Sequence, residues 1–154
     1  MKQSAKQKVK REFSAGGVVY KKEGSLVKWL VCKHSGYHKW VFPKGIVKKS
    51  ETSVKTAIRE VQEETGVEAR IIEKVPESEE YIYQRDGAKI FKRVIYFLME
   101  YTAGDIKDHD EEMEAVRWLP YQRAQKILAF AGAKKLLQKS REILKEKRIR
   151  PNLL

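Results

Sequence analysis

The sequence predicts an α+β fold in which a mixed β-sheet carries one helix from the middle of the chain and another from its C-terminal end. Three observations support this prediction. Strand-like runs occur on both sides of residue 50, a helical period spans residues 52–65, and two further helical segments follow residue 120. The chain has 154 residues, which is enough for a single domain with a hydrophobic core.

Runs that are rich in β-branched and aromatic residues predict six strands. A turn at residues 23–25 joins the first two, and Asp86-Gly87 is a strong hairpin signal between the fourth and the fifth. A loop at residues 34–39 leads from the second strand into residues 40–44. The predicted strands are Phe13–Lys21, Val27–Lys33, Val67–Val75, Glu80–Gln84, Lys89–Tyr101 and Ala115–Leu119.

Residues 52–65 contain no glycine or proline and predict a helix, with Ser50 available as its N-cap and Gly66 as its stop. Apolar residues recur in it at positions i, i+3, i+4 and i+7, so we expect one stripe to be buried against the sheet. The stripe consists of Val54, Ala57, Ile58 and Val61. The later helices are predicted at residues 121–130 and 134–147, with a hinge near Gly132.

Three glutamates, Glu60, Glu63 and Glu64, lie at i, i+3 and i+4 on a neighbouring face of the first predicted helix. Like charges at this spacing repel one another and destabilise a helix. A bound cation would remove the repulsion, and carboxylate oxygens suit Mg²⁺, with Mn²⁺ as a substitute. The other interpretation of such a cluster is a solvated helix face.

The wider pattern from Gly45 to Val67 favours the metal site. It reads G-x5-E-x7-R-E-U-x-E-E-x-G-U, where U is a bulky apolar residue, and every position is filled. This pattern resembles the Nudix box, the signature of hydrolases that cleave a diphosphate linked to another group. The resemblance implies an α/β/α sandwich, the Nudix fold, over roughly residues 13–144, with the mixed sheet between the box helix and a C-terminal helix.

The resemblance also implies a role for each box residue. Glu60, Glu63 and Glu64 match the metal-binding glutamates, and Gly45 matches a glycine whose carbonyl completes the coordination. Arg59 matches the arginine that orients the glutamates, and Glu51 matches the residue that steadies this segment.

A further carboxylate from a later loop is common in the family, about six residues before an aromatic residue. Glu112 lies six residues before Trp118, and we assign it as a metal ligand or general base. Asp110 and Glu111 compete for that role. Under this resemblance, we expect Glu60 or Glu112 to act as the general base that accepts a proton from the attacking water.

The residues around the box bear on the substrate. The lead-in Trp40-x-Phe42-Pro43-Lys44-Gly45 resembles that of diadenosine polyphosphate hydrolases and diphosphoinositol polyphosphate phosphohydrolases. Lys44 provides a point charge that suits a terminal phosphate. Members of the first group also tend to carry a tyrosine 14–18 residues past the box. The candidate substrate-binding residues are Lys33, His38, Trp40, Lys44, Tyr81 and Tyr83, with His34, Lys92 and Arg93 as further candidates for the polyphosphate.

These features predict asymmetric hydrolysis of diadenosine tetraphosphate to ATP and AMP in the presence of Mg²⁺. One alternative is another Nudix specificity: a (d)NTP, an inositol pyrophosphate or a 5′-pyrophosphate of RNA. The other alternative is a module that binds a nucleotide or RNA without turnover. Binding-only members have usually lost box glutamates, and this chain retains all of them.

The net charge of +12 is concentrated at the two ends of the chain. Residues 1–11 carry five basic and no acidic residues, and residues 134–150 carry eight basic and two acidic residues. One interpretation is a weak RNA contact, and the other is a disordered tail at residues 1–11 and a solvated basic helix. We expect residues 12–149 to form a single domain that includes this helix.

The rest of the composition bears on location. The single cysteine, Cys32, lies in an apolar run and suits a reducing cytoplasm. The sequence shows no secretion signal and no apolar stretch of about 18 residues, so we expect no membrane partner. We expect a monomer or a homodimer that binds a small nucleotide.

Replacing a metal-ligand glutamate should abolish turnover. We expect Glu63→Gln and Glu64→Gln each to lower kcat by about 100-fold or more in Mg²⁺, because phosphoryl transfer depends on positioning and charge stabilisation. Steady-state hydrolysis by each purified variant provides the measurement. Turnover at the wild-type rate by either variant would refute the assignment.

Overall fold

The computed structural model describes residues 8–149 and arranges them as a seven-stranded sheet with helices on both faces. The strands are β1 (Lys8–Glu23), β2 (Leu26–His34), β3 (Trp40–Val41), β4 (Lys44–Ile46), β5 (Val67–Arg85), β6 (Ala88–Gly104) and β7 (Met113–Pro120). The helices are α1 (Ser53–Thr65), α2 (Tyr121–Ile127) and α3 (Ala131–Ile149), with a short 3₁₀ helix at Ile106–Asp108.

The sheet is mixed, as the sequence predicts. Its main path runs β3-β2-β1-β6-β5, while β4 pairs with β1 and β7 pairs with β2. Only the β1–β6 pair is parallel among the described strands. The predicted hairpin is confirmed: β5 and β6 meet at Asp86 and Gly87, whose φ angles of 51° and 75° are those that a tight two-residue turn requires.

Both faces of the sheet are buried, which confirms the predicted sandwich. Alternate residues of β1 and β6 point to opposite faces. Val18 and Leu98 pack toward α2 and α3, and Val19 and Met99 pack toward α1. Each helix layer therefore covers one apolar face of the same strands, and the two cores meet only through the sheet.

The first strand is longer than predicted and replaces part of the expected tail. We expected residues 1–11 to be disordered, but β1 begins at Lys8, and residues 8–11 pair with residues 88–91 of β6. The cause is the long β5–β6 hairpin, which extends past the core and offers a free backbone edge. Residues 1–7 lie outside the part of the chain that the structure describes.

The predicted buried stripe of α1 is wrong in part. Ala57 and Val61 are fully buried, but Val54 and Ile58 are 38% and 36% exposed. The buried stripe instead continues from Val61 to Glu64, which is 5% exposed. Helix α1 rests on β1 where Gly17 allows close approach, so the helix is rotated relative to its most apolar face.

The N-cap of α1 also differs from the expectation. The side chain of Thr52, not Ser50, accepts a hydrogen bond from the Lys55 N–H at 3.2 Å. Ser50 lies in a turn that is closed by the Glu51 N–H and the Lys48 carbonyl, so the N-cap lies two residues later than predicted and the helix begins at Ser53. Gly66, with φ of 79°, ends the helix as predicted.

The break between the two C-terminal helices lies earlier in the chain than predicted. Helix α2 ends at Ile127, because Leu128 is buried and the next backbone N–H, that of Ala129, donates to the Trp40 carbonyl of β3. Helix α3 then begins at residue 131 and packs on the sheet through Leu136 and Leu137. Among residues 8–149, no helix has the length and apolar character to cross a membrane.

We expect Gly16→Ala to destabilise the fold by about 1–3 kcal/mol, because a Cβ there would overlap the Pro43 carbonyl oxygen. Ser14→Ala is the control on the same strand. The Ser14 hydroxyl is buried without a hydrogen-bond partner among the described residues, so its removal should leave stability unchanged within about 0.5 kcal/mol or raise it. Urea unfolding of both variants measures the difference, and equal midpoints would contradict the prediction.

Candidate active site

The guanidinium of Arg59 holds the acidic residues of the box together. Its Nε and Nη2 donate to the two carboxylate oxygens of Glu51 at 2.8 and 2.9 Å. Its Nη1 donates to Glu60 at 2.7 Å and to Glu63 at 3.2 Å. The arrangement agrees with the roles expected for Arg59 and Glu51: a bidentate pair fixes the arginine, and the arginine positions two carboxylates.

Glu51 is held by further donors. The Thr56 hydroxyl donates to its Oε1 at 2.6 Å, and the Lys48 N–H does so at 3.5 Å. The Arg59 hydrogen bonds, followed by that of Thr56, lower the pKa of Glu51 to about 2. Glu51 is therefore ionised throughout the neutral range and anchors the loop before α1.

Glu64 has a different environment from that of Glu60 and Glu63. It is 5% exposed, and its Oε2 accepts the Lys44 N–H at 3.1 Å. Burial, followed by repulsion from Glu60, raises the pKa of Glu64 to about 9. No Lys, Arg or His of residues 8–149 forms an ion pair with it, so the ionised form of Glu64 would have no cationic partner among these residues.

Gly45 lies directly against the Glu60 carboxylate. A Cβ on this residue would overlap the Glu60 carboxylate. The backbone of β4 thus lies directly against the acidic face of α1. Burial raises the pKa of Glu60 in spite of its hydrogen bond to Arg59.

The loop before β7 brings Glu112 into the wall of a cavity that Glu64 also lines. The Ser35 N–H and hydroxyl donate to the Glu112 carbonyl at 2.8 and 2.9 Å. The Asp110 carboxylate accepts the Glu112 N–H at 3.0 Å, so Asp110 shapes the loop. Glu112, with Glu64, His34 and Lys44, lines a cavity of about 160 Å³.

This donor set fits a divalent cation. The acidic side chains offer only hard oxygen ligands, and Glu64 is a buried carboxylate without a positive partner. No three acidic, His or Cys side chains among residues 8–149 already converge on a single coordination point. Arg59 draws Glu60 and Glu63 to one side, and the Lys44 N–H holds Glu64. A cation would compete with those hydrogen bonds.

A second cavity adjoins the first and has a volume of about 320 Å³. The two cavities share Tyr37, Val41, Phe42 and Lys44 in their walls. Lys44 therefore stands between the acidic cluster and the larger cavity. We refer to the two adjoining cavities together as the cleft, with the carboxylates at one end and aromatic side chains at the other.

The larger cavity is aromatic, with one acidic side chain. Tyr37, Tyr81 and Phe130 line it, and they are 43%, 40% and 46% exposed. Glu79 accepts hydrogen bonds from the hydroxyls of Tyr81 and Tyr96 at 2.5 and 2.7 Å. Of the two tyrosines predicted after the box, the structure places Tyr81 in this cavity.

Four predicted substrate residues lie outside both cavities. Trp40 packs against the core beneath α2 and α3. Lys33 and His38 both pair with the Glu114 carboxylate, at 3.8 and 2.8 Å. The Tyr83 hydroxyl donates to Glu12 at 2.9 Å, farther along the hairpin. Tyr83 shares the face of Tyr81, but the strand carries it beyond the cleft.

Several cavity residues were not predicted. Tyr37 and Phe130 lie in loops, where no periodicity marks them, and Glu79 is one of many acidic residues on β5. Tyr37 follows His34, which was a candidate, and stacks on its ring at a centroid distance of 4.2 Å. This proximity in the loop before Trp40 is the one signal that could have identified it.

The basic C-terminal segment partly pairs within the fold. Lys135 and Lys147 of α3 lie 3.5 and 3.3 Å from Glu77 and Glu73 of β5. These pairs hold α3 against the edge strand. Three further basic residues of the chain ends, Lys2, Lys6 and Arg150, lie outside the residues that the structure describes.

Sequence comparisons with known proteins indicate one family. A sequence model of the NUDIX domain matches residues 10–140. The asymmetrical bis(5′-nucleosyl)-tetraphosphatase of Rattus norvegicus is 32% identical over 137 residues, which cover 82% of this chain and 87% of the rat protein. The protein designated MutT4 in Mycobacterium tuberculosis is 33% identical over 105 residues, which cover 68% of this chain and 42% of that protein.

Among solved structures, a C. elegans Ap4A hydrolase in a binary complex superposes with a TM-score of 0.72. It is 28% identical, and the match covers 88% of this chain and 98% of that one. The predicted fold is thereby confirmed.

The stability contributed by Glu51 should depend on pH. Arg59 lowers the pKa of Glu51 to about 2, so its contribution is complete above about pH 4.5 and is lost as the pH falls toward 2. We expect Glu51→Gln to lower Tm clearly at pH 7 and much less at pH 3, as measured by circular dichroism. The control is Glu146→Gln on α3, an exposed carboxylate without an ion pair among the described residues. A Tm difference for Glu51→Gln that does not change with pH would contradict the prediction.

Proposed function

Because this chain belongs to the Nudix hydrolase family, we propose that it cleaves dinucleoside tetraphosphates asymmetrically in the presence of Mg²⁺, converting diadenosine tetraphosphate to ATP and AMP. The observation that carries the proposal is the pair of adjoining cavities, in which Lys44 lines both the cavity with the acidic residues and the aromatic cavity. A substrate with a base at one end and a long polyphosphate matches this order of groups.

The aromatic cavity suits a nucleobase. Stacking on aromatic side chains is worth about 1–3 kcal/mol per base, and Tyr37, Tyr81 and Phe130 are available for it. A volume of about 320 Å³ is at the small end of the range for ligand pockets, which suits one nucleoside. The second nucleoside of the substrate would lie on the other side of the acidic cluster.

Two lysines suit the polyphosphate between these sites. Lys92 of β6 lies opposite Tyr81 in the β5–β6 pair. Burial, followed by the charge of Lys44, lowers the pKa of Lys92. Arg93, the next residue of β6, points to the opposite face and is exposed. A phosphate chain that passes between Lys44 and Lys92 would remove their repulsion.

The residues of the acidic cluster have separate proposed roles in hydrolysis. Glu60, Glu63, Glu64 and Glu112, with the Gly45 carbonyl, would hold Mg²⁺. The cation would supply neutralisation of the phosphate charge and a lower pKa for the attacking water. Arg59 and Glu51 keep the glutamates in place. Glu60 or Glu112 accepts the proton of the water. Mn²⁺ would substitute for Mg²⁺, because it prefers the same ligands.

The comparisons favour this substrate class. The rat relative is named an asymmetrical bis(5′-nucleosyl)-tetraphosphatase, and the C. elegans structure is named an Ap4A hydrolase. Both matches extend over most of either chain, so the likeness is not confined to the box. The cytoplasm is the location we propose, because Cys32 is buried and is the sole cysteine of the sequence.

A substrate panel tests the proposal. We expect the protein in Mg²⁺ to hydrolyse diadenosine tetraphosphate with a kcat/KM at least about tenfold above that for dATP, an inositol pyrophosphate or triphosphate RNA, because only the dinucleotide occupies the whole cleft. Chromatography should show ATP and AMP in equal amounts.

The Glu64→Gln variant serves as the inactive control for contaminating phosphatases. Formation of two ADP molecules would contradict asymmetric cleavage. A tenfold advantage for dATP or RNA would contradict the substrate class and leave the hydrolase assignment in place.

A further inference from the structure

We propose that Glu79 selects guanine over adenine for the base in the aromatic cavity, so that guanosine-containing dinucleoside tetraphosphates are better substrates than diadenosine tetraphosphate. This inference rests on the proposed function and specifies its substrate class. It starts from an acidic side chain whose position the hydrolytic mechanism does not use.

Glu79 is fixed in place by two tyrosines. The Tyr81 hydroxyl donates to Oε2 at 2.5 Å, and the Tyr96 hydroxyl donates to Oε1 at 2.7 Å. Burial is the main cause that raises the pKa of both phenols above the ordinary value, so both remain protonated donors. On the third side, a Cβ at Gly132 of α3 would lie 3.0 Å from Glu79 Oε2. The carboxylate therefore has a defined orientation.

Each oxygen of Glu79 keeps an acceptor site. An ionised carboxylate offers about four lone-pair sites, and the tyrosines occupy one on each oxygen. The two free sites belong to adjacent oxygens, so they suit a pair of parallel N–H donors. Lys39 and Lys44 are the basic side chains in the described walls of this cavity, and neither forms an ion pair with Glu79.

Guanine provides such a pair of donors. Its Watson–Crick edge carries N1–H and the 2-amino group side by side, and both would donate to the carboxylate. Adenine carries a single donor, the 6-amino group, beside the N1 acceptor, whose lone pair would face a carboxylate oxygen. A base stacked among Tyr37, Tyr81 and Phe130 would meet Glu79 at its edge, because these residues line one cavity. A matched bidentate pair is worth a discrimination of roughly tenfold to a hundredfold.

Base analogues test the inference with the wild-type protein. We expect kcat/KM for diguanosine tetraphosphate to exceed that for diadenosine tetraphosphate by about tenfold or more. The diinosine compound lacks only the 2-amino group and should fall between them. Calorimetric titration with GTP, ITP and ATP in EDTA should give the same order of affinities without hydrolysis.

A variant tests the role of the carboxylate itself. In Glu79→Gln the amide places an NH2 donor group beside an acceptor oxygen, an arrangement that suits the N1 and 6-amino groups of adenine. We expect the guanosine-to-adenosine ratio of kcat/KM to fall by about tenfold or more. Glu77→Gln is the matched control on the same strand, because Glu77 pairs with Lys135 outside the cleft. It should keep the wild-type ratio, and thermal unfolding should show both variants folded.

The outcomes separate the two proposals. Equal values for guanosine and adenosine compounds in both assays would overturn the base selection while the tetraphosphatase activity stands. If Glu79→Gln lowers hydrolysis of the guanosine and adenosine compounds by the same factor, the role of Glu79 is only to hold β5 against β6. That result would also overturn the base selection. Hydrolysis of none of the dinucleotides, with the GTP preference retained in titration, would overturn the proposed function and support the base selection.

Discussion

The guanidinium of Arg59 donates to acceptors on three separate segments: the loop before α1, α1 itself and β4. It binds Glu51 bidentately, reaches Glu60 and Glu63, and also donates to the Ile46 carbonyl at 3.4 Å. Several carboxylates would repel one another if they were brought this close without a cation. One arginine allows them to lie together in the folded chain before any metal binds. The geometry of the acidic cluster depends on this interaction.

The short strand β4 connects that cluster to the rest of the cleft. Lys44 pairs with Gly16 of β1, and its N–H donates to the buried Glu64 carboxylate. Its side chain lines both cavities. A small displacement of β4 would therefore alter the acidic cluster and the substrate cavity together. Gly16 and Gly45 lack side chains where the backbone and the Glu60 carboxylate approach most closely.

The far end of the cleft is built by pairs that are distant in sequence. Glu79 belongs to β5, Tyr96 to β6 and Phe130 to the segment between α2 and α3. The β5–β6 register places Glu79 opposite Val94 and within reach of Tyr96 on the same face of the sheet. The sheet thus helps to place the Glu79 carboxylate, several aromatic side chains and Lys44 in the walls of one cavity.

The part of the site that could be predicted lies within one continuous segment. Arg59, Glu60, Glu63 and Glu64 lie within about one and a half turns of α1, and Glu51 lies in the loop just before that helix, so local structure brings them close together. Outside the segment, the structure separates residues that the sequence grouped together. Tyr81 lines the cavity, while Trp40 packs into the core, although both had equal support from local patterns. Local patterns do not tell which face of a loop or strand is covered.

By itself the sequence determined the α+β class, the box helix, the β5–β6 hairpin and the acidic cluster, because each follows from local periodicity, turn residues and spacing. The tertiary structure decided which side of α1 is buried, since the contact at Gly17 and not the apolar stripe sets its rotation. It also decided that β1 starts at Lys8, because an edge of β6 was free to pair. Finally, it placed Glu79 in the aromatic cavity. That position depends on strand register and helix packing, which join residues far apart in the chain.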